Sequence, residues 1–178
     1  MNPIDIINKY YEQNSNLYNI LINHSSDVTK KALDIARNHP ELNINIQFVR
    51  EAGMLHDIGI FKTNAPSIDC QGEYPYMAHG YLGSELLQKE GFPKHALVCE
   101  RHTGAGLQLQ EIIDQNLPVP HRDMMPISIE EQVICFADCF FSKTHLGQEK
   151  SVEKIRYKLA RFGERSVNQF DQWCNLFL

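Results

Sequence analysis

Phe48-Val-Arg-Glu-Ala-Gly-Met-Leu-His-Asp-Ile-Gly59 is the stretch from which the rest of the chain can be read. Phe48, Val49, Ala52 and Leu55 recur at three- and four-residue steps, the spacing of one apolar helical face. His56 and Asp57 follow at the end of that face, and Gly59 with the loop Thr63-Asn-Ala-Pro-Ser breaks the pattern. Neighbouring side chains point apart in a regular helix, but in a fraying last turn they can converge on one site. A lone His-Asp dipeptide is common, so its weight depends on what surrounds it.

On either side the same helical spacing dominates. Upstream, Ile4, Ile7 and Tyr11 share a face after Pro3. Val28, Ala32, Ile35 and Ala36 do so after expected caps at Ser25 and Ser26, and Asn38-His39-Pro40 closes that segment. Downstream, a helix is expected from near Pro75 with Leu82, Leu86 and Leu87, and a short one with Ala96, Val98 and Cys99. Residues 107–127 carry Pro118 and Pro120, with Pro126, and read as a long loop in which any helix must be short or irregular, and as a candidate lid. Ile129, Val133, Phe136, Ala137, Phe140 and Phe141 form the next helical block, followed by closing helices over 151–162 and 167–177. No period-two strand is visible. The expected fold is all-α, a single helical bundle over residues 1–178 with its core at about 20–145.

Composition bounds the function. The chain has 178 residues, a formal charge of −5 and 43% hydrophobic residues, enough apolar material for a packed core. No apolar run approaches the roughly 18 residues of a membrane span, and Met-Asn-Pro-Ile-Asp lacks the pattern of an export signal. A cytoplasmic protein with no membrane partner is therefore expected. Cysteines at 70, 99, 135, 139 and 174 are odd in number and form no Cys-x-x-Cys pair, which predicts free, mostly buried thiols. The acidic balance and the absence of a basic run exclude nucleic acid as a bulk partner, since duplex affinity comes largely from clustered Lys and Arg. A small anionic substrate fits, and a homodimer is compatible with the sequence.

His24, His56, Asp57, His79, His102 and Asp138 are spread over five expected helices. Neutral imidazoles hold a transition metal, carboxylates offset its charge and bridge, and open positions admit water and substrate.

In order and spacing, His24, His56-Asp57 and Asp138 resemble the HD superfamily of metal-dependent phosphohydrolases, and His56-Asp-Ile-Gly59 matches its extended HDIG signature. The resemblance covers about residues 20–145. It implies a helical bundle with His24, His56, Asp57 and Asp138 on one divalent ion and Asp57, His79 and His102 on a second, Asp57 bridging. The two ions, iron, manganese or another transition metal, would generate a hydroxide near neutral pH and neutralise phosphoryl charge. His79-Gly80, the string His102-Thr-Gly-Ala and Ala137-Asp138 are similar to the bacterial HD hydrolases that split diadenosine tetraphosphate, although those carry Lys after the last Asp where this chain has Cys139. The implied activity is hydrolysis of a nucleotide-type phosphoanhydride or a phosphomonoester, with Asp57, Lys62 and His102 in catalysis and Lys62, Arg101 and Thr103 on substrate. Arg122 and Lys143 are further phosphate candidates. Two other readings share the ligand set: a nucleotide-binding regulatory module without turnover, and a di-iron oxygenase.

Overall fold

A computed structural model describes residues 1–178. It contains nine α-helices: α1 (Pro3–Ile7), α2 (Asn16–Asn38), α3 (Ile46–Leu55), α4 (His79–Lys89), α5 (Pro93–Arg101), α6 (Leu109–Asp114), α7 (Ile129–Cys139), α8 (Val152–Leu159) and α9 (Glu164–Phe177). Side chains cap their starts: Ser15 accepts from the Tyr18 amide, Asn45 from Phe48, Ser128 from Glu131 and Ser151 from Lys154. α2 thus begins at Ser15, behind a left-handed Asn14 (φ 65°), and the expected caps Ser25 and Ser26 lie inside it. Ser25 is buried there, and the apolar stripe continues back through Leu21 and Ile20.

The all-α expectation needs one correction. Between α3 and α4 the chain forms a three-stranded sheet in the order β2-β1-β3, from β1 (Thr63–Ala65), β2 (Cys70–Gln71) and β3 (Tyr74–Pro75). β2 pairs antiparallel to β1, with Ala65 opposite Cys70, and β3 pairs parallel, with Thr63 opposite Tyr74. Strands of two or three residues leave no period to detect, and the reversal between β1 and β2 rests on Asp69 at φ 61°. The sheet delays α4, which starts at His79 rather than near Pro75.

Two buried apolar clusters support the helices. In the larger, Phe136 of α7 packs within ring-centroid distances of 5.0 Å from Phe140, 5.3 Å from Phe170 and 6.4 Å from Trp173, so α9 closes over α7. Each such side chain contributes roughly 1.5–3 kcal/mol when removed from water. In the smaller, Ile7, Leu21, Leu55, Ile58 and Leu87 join α1 through α4. α2 serves both clusters, Leu21 in one and Val28 in the other, and His24 falls between them. All five cysteines are free, as expected. No helix is long and apolar enough to cross a membrane.

Residues 107–127 hold one short helix, in keeping with their prolines, and pack on their own apolar residues. They hold α6 and a small cluster of Leu107, Ile112, Val119 and Met124, and Leu107 and Met124 exchange backbone hydrogen bonds of 3.0 and 2.8 Å. Arg165 of α9 secures the approach by donating to the Ala105 and Gly106 carbonyls at 3.2 and 2.6 Å and to Glu111 at 2.5 Å. The prolines lie outside α6, which is why they do not break it.

Candidate metal centre

Five helices bring the six ligand candidates together. His24 comes from the middle of α2, His56 and Asp57 from the turn that ends α3, His79 from the first residue of α4, His102 from the residue after α5, and Asp138 from the last turn of α7. They form two overlapping groups, His24–His56–Asp57–Asp138 and Asp57–His79–His102, with donor atoms within 4.8 Å of one another in each.

Asp57 belongs to both groups, one oxygen to each. Its Oδ2 lies 3.1 Å from Nε2 of both His24 and His56, and its Oδ1 lies 3.4 Å from Nε2 of both His79 and His102. Asp138 Oδ1 completes the first group at 2.9 Å from His24 and 3.5 Å from His56. Gly59 makes the arrangement possible. A Cβ there would stand 2.3 Å from the His79 carbonyl oxygen and 2.5 Å from the Gly83 amide nitrogen, so only glycine lets the end of α3 lie against α4.

Backbone contacts aim the rings. Nδ1 of His56, His79 and His102 faces the carbonyl three residues earlier, Gly53, Tyr76 and Cys99, at 2.7, 2.6 and 2.7 Å. A carbonyl only accepts, so Nδ1 donates the proton and Nε2 is the atom that each ring turns to the centre. Nε2 of His79 and His102 are 3.0 Å apart, a spacing that a shared proton or a metal cation between them satisfies. Nε2 of His24 and of His56 and both Asp57 oxygens are buried without an aligned hydrogen-bond partner. Buried polar atoms are normally satisfied, and this donor set is the one a transition metal satisfies.

The charges are strongly coupled. Burial pushes the Asp57 carboxyl up, but Lys143 and His56 outweigh it and hold it well below the ordinary carboxylate range. Asp138 is held down in the same way by His24 and His56. Burial keeps the His79 ring neutral, at about 3 against the pull of Asp57. Burial opposes charge on His56 as well, but Asp57 and Asp138 raise it to about 10.

A sequence model described as HD domain matches residues 21–141, from before His24 to beyond Asp138. The chain belongs to the HD domain family. Among relatives of this HD protein, the uncharacterized protein MJ0778 of Methanocaldococcus jannaschii is 30% identical over 145 residues, 79% of this chain and 78% of its own length. Proteins named tRNA (cytidine(56)-2'-O)-methyltransferase are 31% identical over 140 residues in Thermoplasma volcanium and 33% over 127 residues in Picrophilus torridus. Those matches cover 78% and 71% of this chain but only 37% and 33% of the longer methyltransferases. No solved structure matches.

The cationic residues of the HD protein are placed differently from the sequence expectation. Lys62 does not reach the centre: the turn Ile60–Lys62 runs on into β1, its Nζ lies 6.0 Å from the Phe61 ring centroid, and it pairs with no carboxylate. Arg101, in the last turn of α5, is drawn to Glu131 of α7 at 2.9 Å. Thr103 sits beside Gly80, and its carbonyl accepts from the Gly106 amide. Arg122 pairs with Glu100. Lys143, just past α7, is the cation that arrives, with Nζ 2.5 Å from Asp57 Oδ2. The pair is one of charge, because Oδ2 gains no well-aligned hydrogen bond from it. Burial works against the Lys143 charge, and Asp57, Tyr76 and Asp138 more than restore it. Tyr76, from the turn before α4, is a neighbour of the site that the sequence reading missed: its ring stacks on His79 at 4.7 Å, and the Lys143 ammonium lies 5.7 Å from its centroid.

Proposed function

We propose that the protein is a dinuclear metal-dependent phosphohydrolase acting on a nucleotide-type phosphoanhydride or a phosphomonoester. The observation that carries this reading is the facing Nε2 pair of His79 and His102, each ring committed through Nδ1 to a backbone carbonyl. This pair adds a second group of donors to the one that holds His24, His56 and Asp138, and Asp57 joins the two. When bound, a divalent ion in such a site lowers the pKa of water and offsets phosphoryl charge. The residues supply the rest. The carbonyls fix the imidazole tautomers, burial keeps the His79 ring uncharged, and Asp57 shares its oxygens so that the two groups act on one reacting phosphorus. The HDIG string and the resemblance to diadenosine tetraphosphate hydrolases favour a nucleotide substrate.

Metal content by plasma mass spectrometry, with phosphate release from a panel of nucleotides and phosphate esters, tests the reading. Two ions are expected in the wild type, one in His102→Ala, and none with no turnover in Asp57→Ala. Wild-type metal content in both variants would overturn it. Tight nucleotide binding without any product over long incubation would replace it with the regulatory module. Oxygen uptake with a bound iron pair would replace it with the oxygenase.

A further inference from the structure

Next to the Asp138 side of the centre, a recess of about 250 Å³ opens between the end of α7 and α8. His24 and Asp138 form its inner edge, and Lys143, Lys150 and Lys158 line it. In a protein of net charge −5, three ammonium groups here meet a single carboxylate, that of Asp138. None of the three lysines lies within residues 21–141, the span of the family match.

Two of these cations have no counter-charge. Lys143 spends its charge on Asp57, whereas Lys150 and Lys158 pair with no carboxylate anywhere in the chain. Lys150 is nonetheless fixed: its ammonium donates to the Cys139 carbonyl at 2.6 Å and to the Phe141 carbonyl. An ammonium has three donors, so one is left. Lys158 is exposed on α8 at the outer wall. Unneutralised ammonium groups that line a recess floored by metal-type ligands suit an anion that reaches the centre and continues past it.

We infer that this recess binds a second phosphate group, next to the one attacked, so that the substrate is a phosphoanhydride rather than a phosphomonoester. The inference rests on the hydrolase reading and narrows it. In the hydrolysis of an anhydride, the oxygen of water joins one phosphorus and the bridging P–O bond breaks. The flanking phosphate leaves with the bridging oxygen and its electron pair, and the protons of water pass to the products and solvent. Lys150 and Lys158 face the group on which that negative charge develops. A monoester has no second phosphate to place there.

Calorimetric titration of the metal-loaded full chain with methylene diphosphonate and with methyl phosphonate tests the inference, in the wild type, Lys158→Glu and Lys94→Glu. Lys94, on α5, makes the same change in net charge away from the recess. The wild type is expected to prefer the diphosphonate. Lys158→Glu should cut that preference about tenfold, the loss of one charge-assisted contact, while Lys94→Glu keeps it. An unchanged preference in Lys158→Glu, or an equal drop in Lys94→Glu, overturns the inference. Failure of the hydrolase reading looks different: metal content would be indifferent to Asp57→Ala and His102→Ala, whichever way the phosphonate preference moves.

Discussion

Two lysines in this chain each follow a candidate ligand aspartate by five residues, Lys62 after Asp57 and Lys143 after Asp138, and they end in different places. Lys143 turns back and reaches the centre, 2.5 Å from Asp57. Lys62 is carried away beside Phe61. The exits from the two helices explain the difference. After α3 the backbone is pressed onto α4 at Gly59 and Gly83, and the next turn feeds directly into β1. After α7 the chain has no strand to join. It loops through Ser142 and Thr144 until Lys150 fastens it to the carbonyls that end α7. Spacing from a ligand therefore says little about reach; the element the chain enters next decides it.

The largest expected effect falls on the lysine that arrives. Lys143→Met leaves the buried Asp57 carboxylate without its cation, and breaking such a pair costs about 3–5 kcal/mol. In chelator-treated protein the melting temperature should drop by at least about 6 °C. The drop should shrink on metal loading, because an ion supplies the missing positive charge. An equal drop with and without metal would reduce Lys143 to a packing role and break the contrast between the two lysines.

A smaller effect is expected where the first exit is set. Gly59→Ala forces backbone against backbone at the His79 carbonyl, an overpacking that costs about 1–3 kcal/mol. It should also displace His79 and weaken the second ion while the first is retained. Denaturant unfolding with metal analysis checks both parts, and wild-type values for both would show that the contact is not what holds α3 and α4 in place. The smallest effect is that of Lys62→Ala, whose stability should stay within about 0.5 kcal/mol of the wild type, with metal content and turnover unchanged. A loss of turnover above tenfold would return Lys62 to the site and erase the comparison.

The candidate ligands were more legible in the sequence than the direction of the cations, for a physical reason. His24, His56, Asp57, His79, His102 and Asp138 sit on or at the ends of helices, whose spacing and termini follow from local apolar periodicity and from caps such as Ser128. The directions of Lys62, Arg101 and Thr103 depend on β1, Glu131 and Gly80, none of which is fixed by local pattern. The sheet escaped notice because its strands are too short to alternate. The fold of residues 107–127 was hidden by its prolines, and its signal was the apolar set Leu107, Ile112, Val119 and Met124. The start of α2 was misplaced because Ser25 and Ser26 resemble caps, whereas Ser15 follows a turn that only Asn14 announces.

Arg165 has one further consequence. A single guanidinium on α9 gathers the Ala105 and Gly106 carbonyls and Glu111, so residues 104–127 are moored to the last helix as well as to α5, where Arg122 meets Glu100. The segment is thus held jointly by a helix that carries a candidate ligand at its end and by one that carries none. Grafting the last helix of a relative onto this chain would change one of these two moorings and leave the Arg122–Glu100 one in place.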